Sequence, residues 1–94
     1  MENIFTLQCP EVMVINNVEE IKNLFLEAVD SHSNIVVKLS SVSKIDTTAV
    51  QILIAFKQKI EAQNNSLSFS EPSEQVLKVT SLLGVQTLLG LVGK

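Results

Sequence analysis

A carboxylate followed by two hydroxyls, in the run Asp46-Thr47-Thr48-Ala49, is the group of side chains best placed to do chemistry. The run lies between a β-branched stretch at positions 35–39 and a long apolar stretch that predicts a helix. If Asp46 is the N-cap, its carboxylate accepts an N–H of the first turn, a contact that contributes about 1 kcal/mol. The hydroxyls of Thr47 and Thr48 then lie near the positive end of the helix dipole.

This placement supports two interpretations of the hydroxyls. In the first, Asp46 caps the helix and the threonines merely tolerate the turn. In the second, one hydroxyl is phosphorylated, and the phosphate gains dipole and N–H contacts at the helix start while Asp46 repels it. Such a phosphate changes the surface by about two negative charges and leaves the fold intact. The residues alone leave both interpretations open.

The other reactive side chains do not form a catalytic group. The single histidine, His32, lies in a turn rich in Ser and Asn, which is typical of a solvated loop residue. Ser40, Ser41 and Ser43 have no basic partner close in sequence that would activate a nucleophile. The glycines fit neither the dinucleotide fingerprint nor the P-loop. Cys9 is alone, and we expect a half-buried strand thiol. We therefore expect no enzymatic activity, no catalytic residues, no cofactor and no metal site.

Length and composition predict a single domain over residues 1–94. The 94 residues leave no room for a second core, and 46% hydrophobic residues are enough to bury one. No apolar run approaches the roughly 20 residues that span a bilayer. The start of the chain lacks the basic region of a secretory signal. We therefore expect a cytoplasmic protein without direct membrane insertion.

The charged residues argue against nucleic acid as a partner. Ten acidic residues against seven basic ones give a net charge of −3, and all seven bases are lysine. Without arginine there is no bidentate fork for a phosphate or a guanine. Without Trp or Tyr there is little for bases to stack on. We expect no binding of nucleic acid.

Periodicity predicts alternating strands and helices in the order β-β-α-β-α-β-α-α. Strands are expected at positions 4–7 and 12–15, as a hairpin or a bent pair, and at 35–39 and 67–69. A first helix begins after Asn17, with Glu20 at capping-box spacing. Later helices are expected at 47–63, from an N-cap at Ser73 to Gly84, and at 85–92 with Leu88, Leu89 and Leu91 packed inward. The strand–helix–strand spacing favours parallel pairing of the later strands.

One flank of the second helix has two interpretations. Ala49, Leu53 and Phe56 belong to a broad inward stripe of core residues. Val50 and Ile54 lie one turn apart on a flank that also carries polar residues. They are either partner surface beside a modifiable hydroxyl or side chains that a neighbouring helix covers. Spacing does not separate the two.

The order of several segments resembles the STAS domain family. These segments are positions 36–39, Ser40, Val42, 45–49, the apolar helix, 71–73 and 82–85. The most specific is the hydrophobic–Asp–Ser/Thr–Ser/Thr–Gly/Ala step into the second helix, and the likeness covers nearly the whole chain. It implies an α/β, STAS-like fold with about four strands in a mixed sheet and about four helices.

The resemblance implies a binding module and not an enzyme. In the regulatory branch, which includes bacterial anti-sigma-factor antagonists, a hydroxyl at this helix start is phosphorylated by a partner kinase that is also an anti-sigma factor. The unphosphorylated form binds that kinase-like ATPase, and the phosphorylated form releases it. By position, Thr48 matches the phosphorylated residue and Asp46 the preceding acid. Thr47 is the neighbouring hydroxyl and the second choice for phosphorylation.

Two other branches of the family are also similar to this chain. One is the small STAS subunit of bacterial phospholipid-transport ABC complexes, whose partner is a transporter ATPase. The other is the STAS protein encoded alongside chemotaxis proteins. Both would act here without phosphorylation. The predicted partner-binding residues are Ser43, Lys44, Asp46, Thr47, Thr48, Val50 and Ile54.

Overall fold

Strands and helices are interspersed along the chain, in an order that begins with two strands and ends with two helices. The structure, a computed structural model, describes residues 4–31 and 34–91. Its elements are β1 (Ile4–Gln8), β2 (Val12–Met13), a 3₁₀ turn (Ile15–Asn17), α1 (Val18–Asp30), β3 (Asn34–Lys38), β4 (Lys44–Ile45), α2 (Thr47–Ala62), β5 (Leu67–Ser70), α3 (Glu74–Leu83) and α4 (Gln86–Leu89). The predicted α/β class and the order of the helices are confirmed. The loop prediction for His32 lies outside the described residues.

The strands form two small parallel sheets. One has the order β1-β3-β5, and the other pairs β2 with β4. Helices α1 and α2 lie in the connections between the strands of the larger sheet. Every pairing in the described ranges is parallel, as expected for the later strands. The prediction of a mixed sheet is therefore wrong for the described strands, and β4 lies at positions 44–45, where no strand was expected.

The predicted hairpin between the first two strands is also wrong. The Cys9 N–H donates to the carbonyl of Lys38 at 3.0 Å, which extends the β1–β3 ladder past the end of β1. Two residues later, the Glu11 carbonyl accepts the N–H groups of Ser43 and Lys44 at 2.8 and 3.1 Å. The chain therefore passes from the larger sheet to the smaller one and does not fold back on β1.

The core lies between the larger sheet and the helices. On the central strand β3, Ile35 and Val37 are buried and alternate with half-buried residues. Helix α1 packs on α2, where the Phe25 and Phe56 rings stack with centroids 5.0 Å apart. Leu53 on α2 is fully buried. No helix in the described ranges is long and apolar enough to cross a bilayer.

Helix α3 begins and ends where its capping residues predict. The Ser73 hydroxyl accepts the Val76 N–H at 3.2 Å and donates to the Val42 carbonyl at 2.6 Å. It therefore caps the helix and also ties its start to the loop before β4. At the other end, Gly84 has a φ of 71°, the left-handed conformation that glycine adopts without a steric penalty.

The start of α1 and the last helix differ from the predictions. The Asn17 side chain makes no cap bond to α1, because its Oδ1 accepts the Val14 N–H at 2.8 Å. At the carboxyl end, α4 covers only Gln86–Leu89, and residue 92 lies outside the described ranges. Leu89 and Leu91 are buried as expected, whereas Leu88 is half exposed.

Cys9 is more deeply enclosed than the expected half-buried strand thiol. Its side chain is 1% exposed, and it lies just after β1. Burial raises the pKa of the Cys9 thiol to about 12. The thiolate is the reactive form, so folding suppresses the chemistry of this residue.

The raised pKa of Cys9 predicts slow labelling and weaker folding at high pH. Near neutral pH the thiol is protonated in both states. Between the ordinary pKa of 9.0 and about 12, the unfolded chain loses its thiol proton first, so the free energy of unfolding falls as pH rises. We expect a disulfide reagent to react with Cys9 at least about 100-fold more slowly in buffer than in concentrated urea. Equal rates would contradict this burial, and Cys9→Ala should show a smaller loss of stability at high pH.

Candidate functional site

The start of α2 is fixed by the backbone and side chain of Asp46. Its N–H donates to the Met13 carbonyl at 3.1 Å, which continues the β2–β4 ladder by one residue. Its carbonyl accepts the Val50 N–H at 3.1 Å, the first hydrogen bond of the helix. Its Oδ1 accepts the Ala49 N–H at 3.0 Å. The predicted N-cap at Asp46 is confirmed, and Thr47 and Thr48 occupy the first turn.

The same carboxylate makes a second contact that the sequence did not predict. Asp46 Oδ2 accepts the N–H of Ile15 at 2.9 Å. Ile15 opens the 3₁₀ turn after β2, and its side chain is 61% exposed. Val12, on β2, is a second exposed apolar side chain in this segment. The apolar run at positions 12–15 predicts a strand over its whole length. Only Val12–Met13 form one, and Ile15 begins the 3₁₀ turn.

The two threonines differ in exposure. Thr47 is exposed, and Thr48 is half-buried. Among the residues that the structure describes, no hydrogen bond engages either hydroxyl. Thr47 is therefore the more accessible hydroxyl, although Thr48 is the residue that matches by position.

Two further residues of the predicted contact surface, Ser43 and Lys44, lie at the start of β4. Ser43 and Lys44 are both exposed, and their backbone is held by the Glu11 carbonyl. The Ser43 hydroxyl donates to that same carbonyl at 3.2 Å. Lys44 pairs with Val12 across the small sheet. The structure therefore brings the β2 segment, β4 and the start of α2 together.

Val50 is buried and so is not available to the predicted contact surface. Its side chain is 1% exposed and belongs to the core. Ile54 is half-buried and packs against that core. Helix α2 packs against α1, α3 and β5, so neighbouring elements cover this flank. Spacing along one helix could not show this, because it depends on where the neighbours lie.

Within the described residues, neither a metal site nor a charged small-molecule pocket accompanies the start of α2. No group of three His, Cys, Asp or Glu side chains lies close enough there to hold a metal ion. A cavity of about 220 Å³ is lined by Thr80, Ser81, Gly84, Gln86 and Thr87. None of these side chains is charged, and none belongs to the start of α2.

Comparison with known proteins identifies the family and the fold. The family model of the STAS domain matches residues 1–92. The chain is also similar to a crystal structure from Thermotoga maritima, described as that of a candidate anti-sigma factor antagonist. The TM-score is 0.75 and the identity 20%, over 92% of this chain and 75% of that one. Comparison with the curated proteins gives no match.

Replacing Asp46 should destabilise the fold more than an ordinary cap loss. Asp46→Ala leaves both the Ala49 and the Ile15 N–H without their carboxylate acceptor. A cap is worth about 1 kcal/mol, and a hydrogen bond to a charged group contributes about 1.5–3 kcal/mol. We expect the free energy of unfolding to fall by about 2–4 kcal/mol in urea denaturation.

The matched control is the only other aspartate, Asp30. It is exposed at the end of α1, where the interaction of a negative charge with the helix dipole is unfavourable. Asp30→Ala should change the stability by less than about 0.5 kcal/mol. Equal losses for the two variants would contradict the special role of Asp46.

Proposed function

This chain belongs to the STAS domain family, and we propose that it is a non-enzymatic regulatory module that binds a protein partner through the start of α2. In this proposal residues 1–94 form a single cytoplasmic STAS domain. The observation that carries it is the first turn of α2, which Asp46 caps. Thr47 is exposed there, Thr48 is half-buried, and neither hydroxyl forms a hydrogen bond within the described residues. Loops and helix starts held by a rigid scaffold are where binding residues concentrate.

Phosphorylation at Thr48, or at Thr47, is the proposed switch. A phosphate adds about 1.5–2 negative charges, and at a helix start it meets free N–H groups and the positive end of the dipole. It also lies beside the Asp46 carboxylate. The modified surface therefore repels any partner that is complementary to the uncharged hydroxyl, and the fold is retained.

The proposed partner is a serine-protein kinase-like ATPase that is also an anti-sigma factor. It would contact the exposed residues of the predicted set, namely Ser43, Lys44 and Thr47, together with the half-buried Asp46, Thr48 and Ile54. It would bind the unphosphorylated chain and release the phosphorylated one. The likeness of the fold to a candidate anti-sigma factor antagonist supports this branch of the family.

The half-burial of Thr48 favours a second candidate function. A partly enclosed hydroxyl is a poorer kinase substrate and a good fixed contact. In this alternative the chain is a constitutive STAS subunit, bound through the same surface to the ATPase of a phospholipid-transport ABC complex or within a chemotaxis-type signalling cluster. Neither arrangement needs phosphorylation.

Co-purification with Thr48 variants tests the proposed function. A tagged chain is expressed in its native host and purified, and bound proteins are identified by mass spectrometry. We expect a kinase-like ATPase with the wild-type chain and with Thr48→Val, which keeps the side-chain shape. Thr48→Asp should reduce its recovery at least about tenfold, because a negative charge enclosed at the interface without a partner opposes binding.

Thr87→Asp is the matched control, since it adds the same charge at an exposed threonine on α4. It should bind as the wild type does. A phosphate on Thr48 or Thr47 in the recovered chain supports the switch, and its absence under every growth condition removes it. An ABC-type ATPase in the eluate that is lost with Thr48→Asp, from a wild-type chain that carries no phosphate, would favour the second candidate.

A further inference from the structure

The Asp46 carboxylate joins two segments that are far apart in sequence. One oxygen accepts the Ala49 N–H inside α2 at 3.0 Å, and the other accepts the Ile15 N–H at 2.9 Å. Ile15 lies 31 residues before Asp46. The β2–β4 ladder reaches Met13 and does not include Ile15. Beyond the ladder, the carboxylate is thus what ties this turn to the start of α2.

The turn that carries Ile15 is closed by hydrogen bonds of Asn17. The Asn17 N–H donates to the Val14 carbonyl at 3.0 Å, and Asn17 Oδ1 accepts the Val14 N–H at 2.8 Å. The Asn17 amide also donates to the Val12 carbonyl. Asn17 therefore closes this turn, and the hydrogen bond between Asp46 and the Ile15 N–H links the closed turn to the start of α2.

A large apolar side chain is held at the surface by this arrangement. Ile15 is 61% exposed, although its backbone N–H is fixed by a charge-assisted bond. A single exposed apolar residue is ordinary on a mobile loop. A side chain on a fixed backbone loses less conformational freedom on binding, and so contributes more affinity.

We propose that Asp46 is a positioning residue that holds Ile15 beside the hydroxyls of α2, and that Ile15 is an apolar specificity contact of the same partner surface. This inference rests on the proposed binding of a protein at the start of α2. The partner then has an apolar pocket for Ile15 next to the polar groups that meet Thr47. Asp46 sets the distance between Ile15 and the hydroxyls at the start of α2.

The first test measures amide exchange in the free chain and needs no partner. Asp46→Ser keeps a good N-cap for α2, but its single short hydroxyl replaces two acceptor oxygens. We expect exchange at the Ile15 amide to speed up at least about tenfold, as for a hydrogen bond that has been lost. The Ala49 amide should stay protected. An unchanged Ile15 amide would overturn the positioning role, whatever the partner proves to be.

The second test is a double-mutant cycle on binding, using the ATPase that co-purifies with the wild-type chain. Ile15→Ala and Asp46→Ser should each weaken binding by about tenfold, and the double variant should be little weaker than either. Leu82→Ala is the matched control, because Leu82 on α3 is 77% exposed, and it should leave affinity within about twofold. Strictly additive losses would overturn the positioning role of Asp46, and an Ile15→Ala variant that binds as the wild type does would overturn the contact.

Discussion

The carboxylate of Asp46 is the contact on which the arrangement of the site depends. Its backbone ends the small β2–β4 sheet, its Oδ1 caps α2, and its Oδ2 holds the turn at Ile15. Three separate pieces of chain therefore take their positions from one residue. A carboxylate can do this because it offers two oxygens with several lone pairs, where a serine or threonine cap offers one. The cost of a partly buried charge is offset by two N–H donors and by the helix dipole.

The sequence predicts those features of the fold that depend on local chemistry. The caps at Asp46 and Ser73 and the left-handed Gly84 follow from side chains within a few residues of the contacts they make. The bounds of α2 follow from a long apolar period. The prediction of a hairpin is wrong because the segment between positions 7 and 12, which contains Pro10, permits a turn but does not require one. The partners of β1 and β2 are strands more than 20 residues away.

The candidate site was predictable only where it depends on residues that are close in sequence. Asp46, Thr47 and Thr48 stand out from spacing alone, whereas the burial of Val50 depends on how neighbouring elements pack on α2. Ile15 was missed because a two-residue strand followed by a 3₁₀ turn has no detectable period. The family membership gives the fold, while a likeness at 20% identity leaves the function to be argued from the site.

An NMR titration tests the central claim most directly, namely that the start of α2 and the turn beside it form one binding surface. The isotope-labelled chain is titrated with the ATPase recovered from the native host, and amide shifts are followed residue by residue. We expect the largest changes at Lys44, Thr47, Thr48 and Ile15, with Gln86–Leu89 of α4 unaffected. Changes centred on the exposed leucines of α3 and α4, with the start of α2 unperturbed, would contradict it.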